Sequence, residues 1–247
     1  MIPEAVTDRD GKSKQKPFER TLWQGKKAIL FDLFHTLVEV KAEAGAGRYT
    51  PDILGIDRRV WNEILWNDTH DRVLGIDRDP VSIVRRIAHQ INPAIPEHLI
   101  VEAAQSRLKR FAMALEQADG GTVDALAALR NRGLKIGLVS NADVTEIEAW
   151  PRSPLAPHFD SVVFSCFVGL KKPDAAIYEH SLSELGVAAA EAVFVGDGGS
   201  GELKGARSVG LTTVMMCGII RRTDPHLLAV RREFANFEID GVEELVS

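Results

Sequence analysis

The sequence predicts an α/β protein: a doubly wound, Rossmann-like parallel sheet with an all-helical domain inserted into it. Three observations lead there. Short apolar runs (AILFDL at 28–33, KIGLV at 135–139, then SVVFS, AVFVG and TTVMM) are bounded by turn residues and alternate with helix-period segments, as in a parallel sheet covered on both faces. About a hundred residues separate the first run from the second, with helical patterning between them, and no ordinary connection is that long. Polar clusters then sit just after or beside the runs, where such sheets bind ligands beyond their carboxyl ends.

Taken in order, residues 1–25 are polar and charged, lack an apolar stretch of signal-peptide length, and are expected to form a flexible arm pinned by Phe18 or Trp23. Residues 26–39 and 119–247 are expected to form the core, and 40–118 the helical domain. AILFDL is the first strand. Inside the insertion, DRRVWNEILWNDTHDRVLG spaces Val60, Ile64, Leu65 and Val73 at helical intervals. Pro80 opens VSIVRRIAHQI at a favoured first-turn position. PEHLIVEAAQSRLKRFAMALEQAD runs from Pro96 to a stop at Gly120-Gly121. The crossings near 38–47 and 119–122 contain glycine and predict hinges. In the core, TVDALAALRNRG is a helix ended by Gly133, KIGLV a strand, and VTEIEAW a helical stretch broken at Pro151. SVVFS, AVFVG and TTVMM are strands separated by the helices PDAAIYEHSLSELG and ELKGARSVG. FEID and VEELV add a short strand and a closing helix. There is no internal repeat.

Composition narrows the function. Apolar residues are 45% of the 247, enough for a sizeable core. With 30 basic and 35 acidic side chains the net charge is -5, so electrostatics make no case for nucleic acid. No run reaches the roughly 18 apolar residues of a membrane span. Only Cys166 and Cys217 are present, in separate apolar contexts, and nothing in the sequence suggests a disulfide framework or a zinc site. The expectation is a cytoplasmic monomer or homodimer acting on a small soluble molecule, with no nucleic acid or membrane as partner.

Each polar cluster has a chemical and a bland reading. Asp32 ends an apolar strand, which is costly without a partner or a function. A carboxylate there can attack phosphorus and divide one displacement into two easier ones, or merely cap the following turn. Ser140 and Asn141 after KIGLV either donate hydrogen bonds to a reacting anion or form an ordinary turn. Lys172 in GLKKPD supplies the positive charge that two meeting anions need, and Lys171 is its solvated neighbour. Asp197 and Glu202 lie in AVFVGDGGSGELKGA. GDGGSG also fits the dinucleotide fingerprint, which expects an acidic residue about twenty positions on. The chain has Met215, Met216 and Cys217 there, and an aspartate inside the loop repels a pyrophosphate. Arg48 and Tyr49, in a glycine-flanked loop, are candidates to meet an anionic or ring-bearing substrate. Trp61 and Trp66 read as lobe core, and Arg85, Arg86, Arg107, Lys109 and Arg110 as a solvated face.

In this order and spacing the clusters of Asp32, Ser140-Asn141, Lys172 and Asp197 with Glu202 resemble the haloacid dehalogenase-like hydrolase superfamily, over about residues 27–246. The subgroup is the one with a helical cap inserted after the first motif, and members are mostly magnesium-dependent phosphatases. The resemblance implies a phosphatase of a small phosphorylated metabolite. Asp32 would form an aspartyl-phosphate with Ser140 and Lys172 as its catalytic partners, and Asn141, Thr36 and Arg48 would bind substrate. Mg2+ would be held by Asp32, the Phe34 carbonyl and Asp197, with Glu202 in direct or water-mediated support. Glutamate at 202, where many relatives have aspartate, moves that carboxylate by a methylene.

One departure matters more. Most phosphatases of the superfamily carry a second aspartate two residues after the nucleophile, as general acid, and this chain has Phe34. The haloacid dehalogenases carry an aromatic there, which keeps open attack of Asp32 on carbon with release of halide. They need no magnesium site, so Asp197 and Glu202 favour the phosphatase. A regulatory or binding member with low turnover is a third reading. His35 either replaces the missing acid or packs; in an extended chain it would point away from Phe34.

Overall fold

In the computed structural model, which describes residues 22–40, 47–67 and 69–247, the described residues form one six-stranded sheet of order β3-β2-β1-β4-β5-β6. The strands are β1 (Ala28–Phe31), β2 (Lys135–Ser140), β3 (Ser161–Phe164), β4 (Ala192–Gly196), β5 (Thr212–Met216) and β6 (Phe237–Ile239). Every pairing is parallel. β1 is central and all four of its side chains are fully buried. Ile29 and Phe31 pack into a cluster with Leu126 and Leu129, whereas Ala28 and Leu30 face Ile177, Tyr178 and Leu203. Period-2 alternation with both faces covered is why the run is continuously apolar.

Among the described residues, five helices lie between β1 and the rest of the core: α1 (Thr50–Leu54), α2 (Arg58–Asn67), α3 (His70–Val73), α4 (Pro80–Ile91) and α5 (Glu97–Glu116). They build a separate apolar cluster around Trp61, Ile83, Ile87, Ile100 and Ala103. Trp61 is core as expected, whereas Trp66 is 65% exposed. Asp79 caps α4 by accepting from Ser82 N, with Pro80 in the first turn.

Seven helices complete the core: α6 (Gly120–Asn131), α7 (Val144–Ile147), α8 (Ser165–Val168), α9 (Ala175–Leu185), α10 (Glu202–Val209), α11 (Gly218–Thr223) and α12 (Leu227–Arg231). Two boundaries differ from the expectation. Gly120-Gly121 do not stop α5; Asp119 accepts from Thr122 N and makes them the first turn of α6. An N-cap aspartate outweighs two residues of poor helix propensity. The closing VEELV is a 3-10 turn (Val242–Leu245) rather than an α-helix. Of the expected arm and first hinge, residues 1–21 and 41–46 lie outside the described residues. Leu22 is buried, and it and Trp23 pack against the core.

Candidate active site

Strand order reverses between β1 and β4, the switch point at which such sheets open a crevice. Asp32 follows β1 and Asp197 follows β4, so the sheet alone brings two carboxylates together. Asp32 N donates to Val195 O at 2.9 Å, continuing the ladder one residue past β1. Glu202 starts α10, after a loop in which Gly198, Ser200 and Gly201 are left-handed, with φ of 83°, 53° and 67°. One oxygen from each of Asp32, Asp197 and Glu202 lies within 4.8 Å of the others. The loop amides serve these carboxylates: Gly198 N donates to Glu202 Oε1 and Gly199 N to Asp197 Oδ1, each at 2.8 Å. A Cβ at Gly196 would collide with the Glu202 carboxylate, so glycine at the end of β4 makes room for it. Tyr178 donates to Glu202 O at 2.8 Å and holds the start of α10.

Lys172 is the cation at the centre. Its Nζ lies 2.5 Å from Asp32 Oδ1 and 2.5 Å from Glu202 Oε2, and it is 3% exposed. Burial alone would lower its pKa, but Asp32 and Glu202 outweigh burial and raise it, so the ammonium stays protonated. One ammonium shared by two buried carboxylates compensates neither. Burial, reinforced by the Asp197 charge, raises the Asp32 carboxyl against the pull of Lys172. Burial and the neighbouring Asp32 push Glu202 well above the carboxylate range. Thr36 Oγ1 donates to Asp32 Oδ2 at 3.0 Å, so both Asp32 oxygens have a partner.

Other expected residues have different partners. Asn141 uses both ends of its amide on the Lys172 main chain, accepting from Lys172 N at 2.8 Å and donating to Lys172 O at 2.9 Å. It therefore positions the lysine. Ser140 ends β2 beside it, paired in register with Phe164 of β3 and buried. Arg48 does not join the acidic cluster: it donates to Asp52 O at 2.9 Å and lies 3.6 Å from Glu102, with the side chain 63% exposed. Phe34 meets Phe111 of α5 edge to face, centroids 5.2 Å apart at 76°. The chain is not extended there. His35 is left-handed (φ 63°), exposed, and donates its N–H to Val38 O at 2.8 Å, closing a tight turn. A cavity of about 400 Å3 opens beside Thr36, lined by Arg110 and Met113 of α5 and by Met216 and Asp240 at the ends of β5 and β6.

Sequence reasoning missed two sets of residues. Arg231 of α12 donates to Asp197 Oδ2 at 2.6 Å and to Asp197 O at 3.2 Å. Arg72 and Arg107, the latter assigned to a solvated face, are 4% exposed and reach from α3 and α5 into the core. Arg72 Nη1 lies 2.8 Å from Asp143 Oδ2, and Arg107 Nη2 lies 2.5 Å from Glu146 Oε1 and 3.3 Å from Asp143 Oδ2. The correction has a physical cause: helix-face arginines are buried when another element brings carboxylates to meet them. Asp143 also caps α7 in a capping box with Glu146, directly after Ser140-Asn141.

Three buried carboxylates with oxygen donors this close fit a hard divalent cation such as magnesium, which takes oxygen ligands. Lys172 and Arg231 are the cations that meet the three carboxyl groups, and the raised Asp32 and Glu202 carboxyls are groups that a divalent cation would hold ionised.

The sequence model for haloacid dehalogenase-like hydrolases matches residues 26–210. The glyceraldehyde 3-phosphate phosphatase of Methanocaldococcus jannaschii is 26% identical over 230 residues, covering 89% of this chain and 95% of its own. A crystal structure of a HAD phosphatase from Thermococcus onnurineus superposes with a TM-score of 0.58 at 25% identity, covering 89% of this chain and 95% of that one. The L-2-haloacid dehalogenase of Xanthobacter autotrophicus, with chloropropionic acid covalently bound, has a TM-score of 0.63 at 20% identity, covering 90% and 97%, a likeness of fold.

Proposed function

The chain belongs to the haloacid dehalogenase-like hydrolases, and on that premise we propose that it is a magnesium-dependent phosphatase of a small phosphorylated metabolite, working through Asp32. The observation that carries the reading is the three-carboxylate cluster around the Lys172 ammonium at the switch point. The full-length likeness to a phosphatase supports it. A dehalogenase attacking carbon has no need of Asp197 and Glu202.

In this reading the Asp32 carboxylate attacks phosphorus, the P–O bond to the leaving group breaks, and water then cleaves the acyl phosphate to regenerate Asp32. Thr36 and Lys172 hold the two Asp32 oxygens in place. Lys172 also offsets charge as two anions approach, and Asn141 fixes the lysine's main chain. Ser140, ending the neighbouring strand, is assigned to the transferring phosphoryl group. Magnesium, held by Asp32, Asp197, Glu202 and the Phe34 carbonyl, would supply the remaining positive charge and polarise the phosphoryl oxygens. Residues 40–118 serve as the cap: their helices have a core of their own, and Phe111 places α5 against Phe34, two residues from the nucleophile. The cavity beside Thr36 is where the substrate's organic part enters. No helix among the described residues is long and apolar enough to cross a membrane.

The test is a screen of phosphorylated metabolites and 2-haloacids, each with magnesium and with chelator. Magnesium-dependent release of phosphate supports the proposal. Halide release that persists in chelator would replace it with the dehalogenase reading.

A further inference from the structure

Arg231 lies far along the chain from the acidic cluster, and no sequence motif points to it. Its guanidinium nevertheless contacts both kinds of oxygen that Asp197 offers, Oδ2 at 2.6 Å and the main-chain carbonyl at 3.2 Å. The other side-chain oxygen, Oδ1, accepts from Gly199 N at 2.8 Å. Both Asp197 carboxylate oxygens are thus engaged by donors of this chain. The contact is built in: a Cβ at Gly198 would lie 2.9 Å from Arg231 Cβ and 3.2 Å from its Cδ, so the arginine stem lies across a glycine with φ of 83°. The pair is sheltered as well, with side chains 22% and 10% exposed.

We propose that Arg231 is a tethered counter-ion of the metal site: it pairs with Asp197 in the metal-free protein, and a divalent cation competes with it for the Asp197 carboxylate and displaces it from Oδ2. The inference rests on the magnesium reading above and adds a control on it. A cation that takes Asp197 Oδ2 meets a guanidinium already there, and two positive charges cannot share that oxygen without repulsion. The arginine therefore weakens metal binding and makes occupancy responsive to metal concentration. Release of the guanidinium also removes a contact tying α12 to the glycine loop, so α12 loosens as the metal enters.

The experiment measures metal binding directly, by electron paramagnetic resonance titration of the full chain with Mn2+ in place of Mg2+. Wild type is compared with Arg231→Met and with Arg232→Met, whose guanidinium pairs with Glu238 away from the cluster. Arg231→Met should bind Mn2+ about fivefold tighter or better, and Arg232→Met as wild type does. Equal or weaker binding by Arg231→Met overturns the inference while leaving the metal reading in place. No Mn2+ binding by any of the three removes the metal reading and the inference with it. A second measurement needs no variant: hydrogen exchange over 227–231 in the wild type should speed up on saturation with Mn2+. Unchanged or slower exchange there contradicts displacement.

Discussion

Replacing Arg107 with methionine tests whether the buried charges between the helical segment and the core hold the two together. The variant keeps most of the apolar stem and deletes one of two guanidiniums facing Asp143 and Glu146, the one that also lies 4.8 Å from the Phe111 ring centroid. These carboxylate side chains are 0% and 13% exposed. Removing one partner of a buried ion pair costs about 3–5 kcal/mol because a charge is left without compensation. Arg72 stays 2.8 Å from Asp143 and 3.7 Å from Glu146, which places the cost at the lower end, about 3 kcal/mol. For a chain of this size that lowers Tm by about 6–12 °C. Arg59→Met, at an exposed position, is the control and should change stability by less than about 0.5 kcal/mol.

The pH dependence has a definite sign. Burial would raise the Asp143 carboxyl, but Arg107 and Arg72 outweigh it and hold it below the usual range. Its contribution in the wild type is therefore present above the unfolded value and lost only in more acidic solution. Glu146 is raised by burial and by the Asp143 charge, so its contribution falls as pH rises through its folded value. Without Arg107 both carboxyls move upward, and protonation relieves the uncompensated charge as pH falls. The deficit measured by calorimetry should be largest near pH 7.5 and smaller at pH 5. A Tm loss under about 2 °C, or a deficit independent of pH, would refute this account of the interface.

Two further predictions concern the site and the thiols. With Phe34 where most phosphatases of the superfamily have their general acid, p-nitrophenyl and acyl phosphates should turn over about 10² to 10⁴ times faster than alkyl phosphates. Phe34→Asp should narrow that gap, whereas equal wild-type rates would mean that another group donates the proton, with His35→Ala the next variant. Burial pushes both Cys166 and Cys217 up to about 11, so at pH 8 about a thousandth of each is thiolate. Neither should react with iodoacetamide until pH approaches that value or the chain unfolds; rapid labelling of the native protein at pH 8 would contradict their burial.

What was legible in the sequence follows from where each residue's partners lie. β1, β2, β4 and β5 could be read because a strand hydrogen-bonded on both sides and covered on both faces must be apolar throughout. The convergence of Asp32, Lys172, Asp197 and Glu202 was legible because the sheet's own topology brings strand ends together, whatever the side chains between them. The Asn141 amide was assigned to substrate because its partner is a main chain 31 residues away, and main-chain atoms leave no trace in a sequence. Arg107 was assigned to solvent for a related reason. A charged position on an amphipathic helix looks the same whether it faces water or a buried carboxylate 36 residues on. Arg231 is the extreme case, an ordinary surface-helix arginine until the fold lays it across Gly198.

Everything proposed for the site depends on Asp32 carrying the phosphoryl group. Acid quench during turnover of p-nitrophenyl phosphate, followed by borohydride reduction and peptide mass spectrometry, reads that directly, because reduction of an aspartyl-phosphate leaves homoserine at the modified position. The account predicts homoserine at position 32 in the wild type and none in Asp32→Asn, which should stay folded and lose turnover. Substrate turnover with Asp32 unmodified throughout, or homoserine at another aspartate, would contradict it.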